Sequence, residues 1–165
     1  MSYQGNRPRA THYRPPSPPA NLSPQDQPLW PGYLEGGYFE GGNLRPELVS
    51  RDKMDELARQ MANASPALTK HQLRRFFNHC RAIETRLKGN ASTWEAERAS
   101  FLRLDAAAAD AFGKRPSKIP ELFHRFIKLN VKAVHTQDDF LRGFLPHFEA
   151  LVGFGQAHFK EQDRR

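Results

Sequence analysis

The stretch LTKHQLRRFFNHCRAIETRLKG, residues 68–89, decides the fold. It carries its own start and stop. Thr69 stands at an N-cap position, Gln72 three residues on completes a capping box, and Leu68 with Leu73 forms a hydrophobic staple. Gly89 supplies the stop. With Leu73 at zero and about 100° per residue, Phe76, Phe77, Cys80, Ile83 and Leu87 fall within roughly 80° of a common direction. On the same wheel Lys70, Arg74, Arg81 and Lys88 lie within about 40° of one another, a row about 27 Å long at about 1.5 Å per residue. The spacing predicts one amphipathic helix over 69–88 with an apolar face and a cationic ridge. Such a ridge can follow a phosphate backbone. The bland alternative is a solvated face, partly neutralised because Glu84 precedes Lys88 by four residues.

Outward from that helix, four more segments show helical period. Leu48, Met54, Leu57, Ala58 and Met61 predict a helix over Pro46 to Ala64, with Pro46 in its first turn and Ser65-Pro66 ending it. Ser92 and Glu95 read as a second capping box, opening a helix that carries Trp94, Phe101, Leu102, Leu104 and Phe112 and closes at Gly113. Its run Ala106 to Ala109 permits close helix approach. Pro120 opens a fourth helix with Leu122, Phe123, Phe126, Ile127 and Val134 inward, and Arg125, Lys128 and Lys132 within about 60° as a second basic stripe. Glu121 can pair with Arg125. The fifth begins at Thr136, capped with Asp139, and runs through Phe140, Phe144, Phe148, Leu151, Val152 and Phe159, with Pro146 expected to kink or divide it. Few segments alternate as strands do. The fold class is all-α, a single five-helix bundle over 38–160.

Eight of the thirteen prolines fall in residues 1–31, and Arg14 to Pro19 favours extended polyproline conformation, so 1–37 reads as a disordered tail, dispensable for folding as far as residue 31. The glycine-aromatic repeat from Gly32 to Gly42 reads as a flexible linker or as a docking segment, the linker being favoured slightly, and 161–165 as a short C-terminal tail. The net charge of +7 is uneven. Residues 69–88 hold six basic side chains against Glu84, and 114–132 hold six against Glu121, while the remainder is neutral or slightly acidic. That concentration points to an anionic partner, nucleic acid first.

Cys80, the only cysteine, lies on the apolar face, which fits a buried small hydrophobe in a reducing compartment. The N-terminus lacks the apolar core of a signal peptide and no stretch approaches a spanning helix, so a cytoplasmic location without membrane contact is expected. The sequon at Asn90 is read as chance.

The segment Leu68-Thr69-Lys70-His71-Gln72-Leu73-Arg74-Arg75-Phe76-Phe77 resembles the "LT-x-x-QLR-x-F" signature of the small subunit of type III-A CRISPR interference complexes, the Csm complexes. Tyr38-Phe39 and Leu44 through Val49 resemble that family's aromatic lead-in and first helix. Leu102-Arg103-Leu104 through Arg115 is similar to its third helix with a basic end, and Phe148-Glu149-Ala150-Leu151-Val152 to its ending. The similarity covers Tyr38 to His158, with Pro146, the aromatic position near Phe154 and Gly155, and the proline-rich tail as departures.

The resemblance implies a helical, noncatalytic protomer repeated along an inner filament. Its partners would be crRNA and target RNA, Csm backbone subunits, the large Cas subunit and neighbouring copies of itself. The guide's base pairing reads sequence, so the protein need recognise only backbone and shape. The residues assigned to RNA contact are Lys70, Arg74, Arg81, Lys88, Arg115, Lys118, Arg125, Lys128 and Lys132; Arg75 and Arg86 point elsewhere, toward solvent or a protein neighbour. The mildly acidic third and fifth helices are candidates for contact between copies.

No catalytic constellation is visible: no P-loop spacing, no paired-histidine zinc motif, no nucleophile elbow. No catalytic residue, metal ligand or cofactor is therefore assigned. His12, His71, His79, His124, His135, His147 and His158 are scattered, with surface or core-edge roles expected. The rival reading is a helical interaction adaptor whose basic faces meet acidic proteins. A helix-turn-helix regulator fits less well, because the basic stripe lacks the polar residues that read bases.

Overall fold

A computed structural model describes residues 22–161. The chain enters through a 3-10 turn, Pro24–Asp26, and a two-residue antiparallel ladder pairs β1 (Phe39–Glu40) with β2 (Asn43–Leu44). After a second 3-10 turn, Pro46–Leu48, come α1 (Arg51–Asn63), α2 (Lys70–Lys88), α3 (Trp94–Gly113), α4 (Glu121–Ala133) and α5 (Leu145–Gly155). The all-α bundle of five helices is thus what the chain forms. α1 packs on α5 and α3 on α4, while α2 touches both α3 and α5.

Local signals set the helix starts. Thr69 Oγ1 accepts from the Gln72 backbone N–H at 3.2 Å and Gln72 Oε1 from the Thr69 N–H at 3.0 Å, the reciprocal box expected for α2. α1 starts later than expected. Pro46 opens the separate 3-10 turn, and Ser50 accepts from the Lys53 N–H to cap a helix beginning at Arg51. The expected Ser92–Glu95 box is also corrected, by one residue. Thr93 Oγ1 accepts from the Ala96 N–H at 3.3 Å, so Thr93 rather than Ser92 caps the helix.

Pro146 divides the last helical run without breaking it. Thr136 and Asp139 exchange the expected capping bonds at 3.1 and 3.2 Å, and a π-helical turn, Asp139–Phe144, then carries the chain into α5. At its end the Leu145 N–H reaches back five residues to the Phe140 carbonyl, so Pro146 enters in the first turn of α5, where a missing N–H and a fixed φ are tolerated. The extra residue in the π turn also offsets the drift of an i, i+4 row. Phe140, Phe144 and Phe148 stay on one face, with ring centroids 6.2 and 5.6 Å apart.

Those three rings meet Phe101, Phe123 and Phe126, and all six are at most 1% exposed. Cys80 is buried with them, and burial pushes its thiol up to about 12, consistent with a packing role. One expected core residue is not in the core. Leu102 is 48% exposed, and Ala99, Ala106 and Ala109 share its outward side, leaving only Ala108 of the alanine run buried.

The packed unit begins well before residue 38. Residues 1–21 and 162–165, including the polyproline segment, lie outside the described residues. From residue 22 onward, however, the expected tail and linker are folded against the helices. Tyr33 and Tyr38 are 6% and 1% exposed, and Trp30 packs edge-on against Tyr33 at 4.4 Å. The Tyr38 ring lies so close to Gly143 that a Cβ there would sit 2.5 Å from Cγ. Deletion through residue 31 would therefore remove packed residues, Trp30 and the Pro24–Asp26 turn among them.

A buried polar chain fastens this N-terminal strap. His147, expected at a surface or core edge, is fully buried with Nδ1 2.6 Å from the Leu48 carbonyl and Nε2 2.8 Å from the Tyr33 hydroxyl. The carbonyl can only accept, so Nδ1 carries the proton and Nε2 receives the Tyr33 O–H. Asn130 Nδ2 donates to Tyr33 Oη at 2.7 Å and to the Phe126 carbonyl at 2.8 Å, while Asn130 Oδ1 accepts from Tyr38 Oη at 2.8 Å. Every member finds a partner, which makes so deep a polar cluster tolerable. Burial pushes both tyrosine hydroxyls up and the His147 imidazole down to about 4.

Candidate nucleic-acid interface

The ridge on α2 exists as a row, but half its length is occupied by its own carboxylate. Arg81 Nη1 donates to Glu84 Oε2 at 2.5 Å and Lys88 Nζ to Glu84 Oε1 at 2.7 Å, so one carboxylate carries both cations. The Glu84 side chain is only 10% exposed, against 52% for Arg81 and 64% for Lys88. Lys70 approaches Glu161 at 3.6 Å. Arg74 is exposed and has no carboxylate within 4.0 Å among the described residues.

The second stripe is more changed. The turn Pro24–Asp26 lies across α4, where Lys128 Nζ pairs with Asp26 at 2.8 Å and Arg125 Nη1 donates to the Pro24 carbonyl at 3.2 Å. The Lys128 ammonium and the Ser23 hydroxyl hold the Asp26 carboxyl below its ordinary range. Glu121, the expected partner of Arg125, makes no ion pair with it among the described residues. Lys132 at the end of α4, with Arg115 and Lys118 in the loop before it, remains exposed and without a carboxylate partner within 4.0 Å among the described residues. Arg115 donates only to the carbonyls of Gly113 and Lys114. The Lys118 carbonyl accepts from Gln72 Nε2 at 2.5 Å, which holds the loop beside the first turn of α2.

The structure brings together residues that a single-helix wheel sets apart. Arg86 meets Glu97 through two bonds of 2.8 Å, latching α2 to α3 and holding the carboxyl down to about 2. Farther toward the N-terminus of α2 the two helices part into an open cleft of about 420 Å³, lined by Arg75, Phe76 and His79 from α2 and Arg103, Leu104 and Ala107 from α3. Both arginines are exposed, and neither has a carboxylate within 4.0 Å among the described residues. His79 Nε2 is engaged with the Ser100 carbonyl at 2.7 Å, and Phe76 packs edge-on against Phe123 at 5.1 Å. Wheel geometry alone turns Arg75 away from the α2 ridge. The missing signal was its partner, Arg103, which only the packing of α2 on α3 supplies.

His135 and Asp138 stand near the Thr136 cap, where Asp139 accepts from the His135 and Thr136 N–H groups and Asp138 pairs with Arg142. Among the described residues no group of three or more His, Cys, Asp or Glu side chains is placed to hold a metal ion. Nor is any helix among them long and apolar enough to cross a membrane.

Comparison with known families gives one result for this chain. The family model described as Csm2 Type III-A matches residues 49–161, more than half the chain. It begins at the end of the second 3-10 turn, so Tyr33, Tyr38 and the strand pair lie outside the matched region. No curated protein and no solved structure matches the chain.

Proposed function

Because this chain belongs to the Csm2 Type III-A family of Csm small subunits, we propose that it is a noncatalytic filament subunit binding the backbone of crRNA and target RNA without sequence preference. The family match over residues 49–161 is the observation that carries the assignment to a Csm complex. The RNA reading is supported by the exposed cations Arg74, Arg115, Lys118 and Lys132, which no internal carboxylate neutralises among the described residues. Lys70, Arg81, Lys88, Arg125 and Lys128 can join them only by exchanging a partner they already have. For the exposed pairs that exchange is cheap, because such pairs contribute about 1 kcal/mol or less.

The proposed partners are crRNA, target RNA, the backbone and large subunits, and further copies of the chain. Contact between copies is supported by the outward face of α3, where Leu102 projects among Ala99, Ala106 and Ala109. The single free thiol, buried Cys80, suits a reducing cytoplasmic setting. The rival adaptor reading predicts that acidic proteins displace RNA.

Affinity purification of the tagged full chain from its host should recover a crRNA together with Csm-type subunits. Titration of the purified chain with duplex RNA, duplex DNA and an acidic protein at several salt concentrations separates the readings. RNA binding that weakens linearly on a log–log salt plot supports this one. Tighter binding of the acidic protein than of RNA at every salt concentration would favour the adaptor.

A further inference from the structure

The α2–α3 cleft is lined by guanidinium groups from both helices, neither with a carboxylate within 4.0 Å among the described residues. On the remainder of α2 the cations are largely committed: Arg81 and Lys88 to Glu84, Arg86 to Glu97, Lys70 to Glu161. Arg75 and Arg103 are not, although both line the same open cleft of about 420 Å³. An anion entering the cleft meets a guanidinium group on each wall. Between them the wall is formed by Phe76, Leu104 and Ala107 together with the His79 ring. A ligand that satisfies both halves has an anionic group beside a flat, weakly polar body. The size and chemistry suit one nucleotide: guanidinium forks bind phosphate oxygens, and a base or sugar face can lie on the aromatic and aliphatic wall.

We propose that this cleft, rather than the Glu84-paired ridge of α2, is where the RNA strand is gripped, with one phosphodiester held between Arg75 and Arg103 and its nucleoside against Phe76 and Ala107. The inference rests on the RNA-binding reading and sharpens it. It moves the principal contact from one face of α2 to the groove that α2 forms with α3. The loop anchored by the Gln72 to Lys118 bond extends that groove toward Arg115 and Lys118, so a strand leaving the cleft in that direction meets further cations.

The test is fluorescence anisotropy with the full chain and a labelled RNA, single-stranded and duplex, at roughly 50, 100 and 200 mM salt, a range over which phosphate contacts lose affinity steeply. Arg75→Ala/Arg103→Ala should weaken binding at least tenfold at the lowest salt and reduce the slope of log affinity against log salt by about one. Arg75→Lys/Arg103→Lys keeps the charge but loses the fork, and should lie between wild type and the alanine pair. Arg59→Ala, at an α1 cation paired with Glu56 and outside the assigned contacts, should stay within twofold of wild type, and Arg81→Ala/Lys88→Ala should lose less than the cleft pair. Photocrosslinking from 4-thiouridine RNA should label peptides containing Phe76 or Ala107. Circular dichroism of each variant confirms that the helices persist. If wild type binds RNA while the cleft pair matches it, or if both alanine pairs lose equally, the cleft assignment is overturned and RNA binding stands. Absence of wild-type binding at the lowest salt overturns the RNA reading as well.

Discussion

Protonation of His147 should be among the main costs that mild acid imposes on this fold. The imidazole is fully buried, its two nitrogens are committed to the Leu48 carbonyl and the Tyr33 hydroxyl, and burial lowers it to about 4 from its ordinary 6.5. The unfolded chain takes up a proton near pH 6.5, and the folded chain does not. Stability from this group is therefore fully present above 6.5 and is lost progressively as pH falls through that window toward about 4. The full displacement corresponds to about 3 kcal/mol, of which about 2 kcal/mol is already gone at pH 5.

Urea unfolding at pH 7.5 and 5.0, followed by tryptophan fluorescence, measures the loss. Trp30 lies 6.4 Å from the His147 ring and reports locally. The decisive comparison is with His147→Gln, which can accept from Tyr33 and donate to Leu48 but cannot titrate. His124 is also pushed down by burial and contributes with the same sign, but it does so in both proteins. Wild type should lose about 2 kcal/mol more than the variant between the two pH values. Parallel losses in the two proteins would refute the assignment of a neutral, proton-excluding His147.

Arg86→Ala should lower stability by about 2 kcal/mol in urea, because it strands the nearly buried Glu97 carboxylate that Arg86 holds at about 2. Since that carboxyl is depressed, its contribution is present above its ordinary 4.5 and lost as pH falls toward about 2, so the variant should also acid-unfold at higher pH; coincident acid transitions would count against the latch. Glu84→Gln frees Arg81 and Lys88 together, and anisotropy at low salt should show tighter RNA binding with a steeper salt slope; an unchanged slope means the pairing masks nothing. Thr69→Ala removes one arm of the capping box, at a cost of about 1 kcal/mol and roughly 2–4 °C in melting temperature by calorimetry.

Features encoded within one or two turns of helix were legible in the chain. The Thr69–Gln72 box, the Thr136–Asp139 box, the start of α4 at Pro120 and the apolar period of α2 each need only residues three or four apart. What escaped was set by distance along the chain. Tyr33 reaches His147 across 114 positions, and no local rule separates a glycine-flanked tyrosine in a linker from one that closes a buried hydrogen-bond chain. Glu84 is a different case, a local pairing read only in part. The i, i+4 spacing flags Lys88, and Arg81 three residues earlier, equally within reach on the helix, takes the other oxygen. Leu102, named with the apolar residues of α3, stands about 100° round the helix from Phe101 and is exposed, so the period itself places it off the buried face. Arg75 gained significance only through a neighbouring helix.

The strap bears on where this protein can be cut. A fragment beginning at residue 49, where the family match starts, would have neither tyrosine to seal the bundle beside α4 and α5. His147 would lose its hydroxyl partner and the Leu48 carbonyl in one stroke, and Asn130 would lose both phenols. Water would then reach the imidazole, which would ionise at near-neutral pH beside the buried Phe126 ring. A trimmed version chosen from the family-matched segment alone would thus be soft in mild acid and prone to stick to itself, and weak RNA binding by it would say nothing about the full chain.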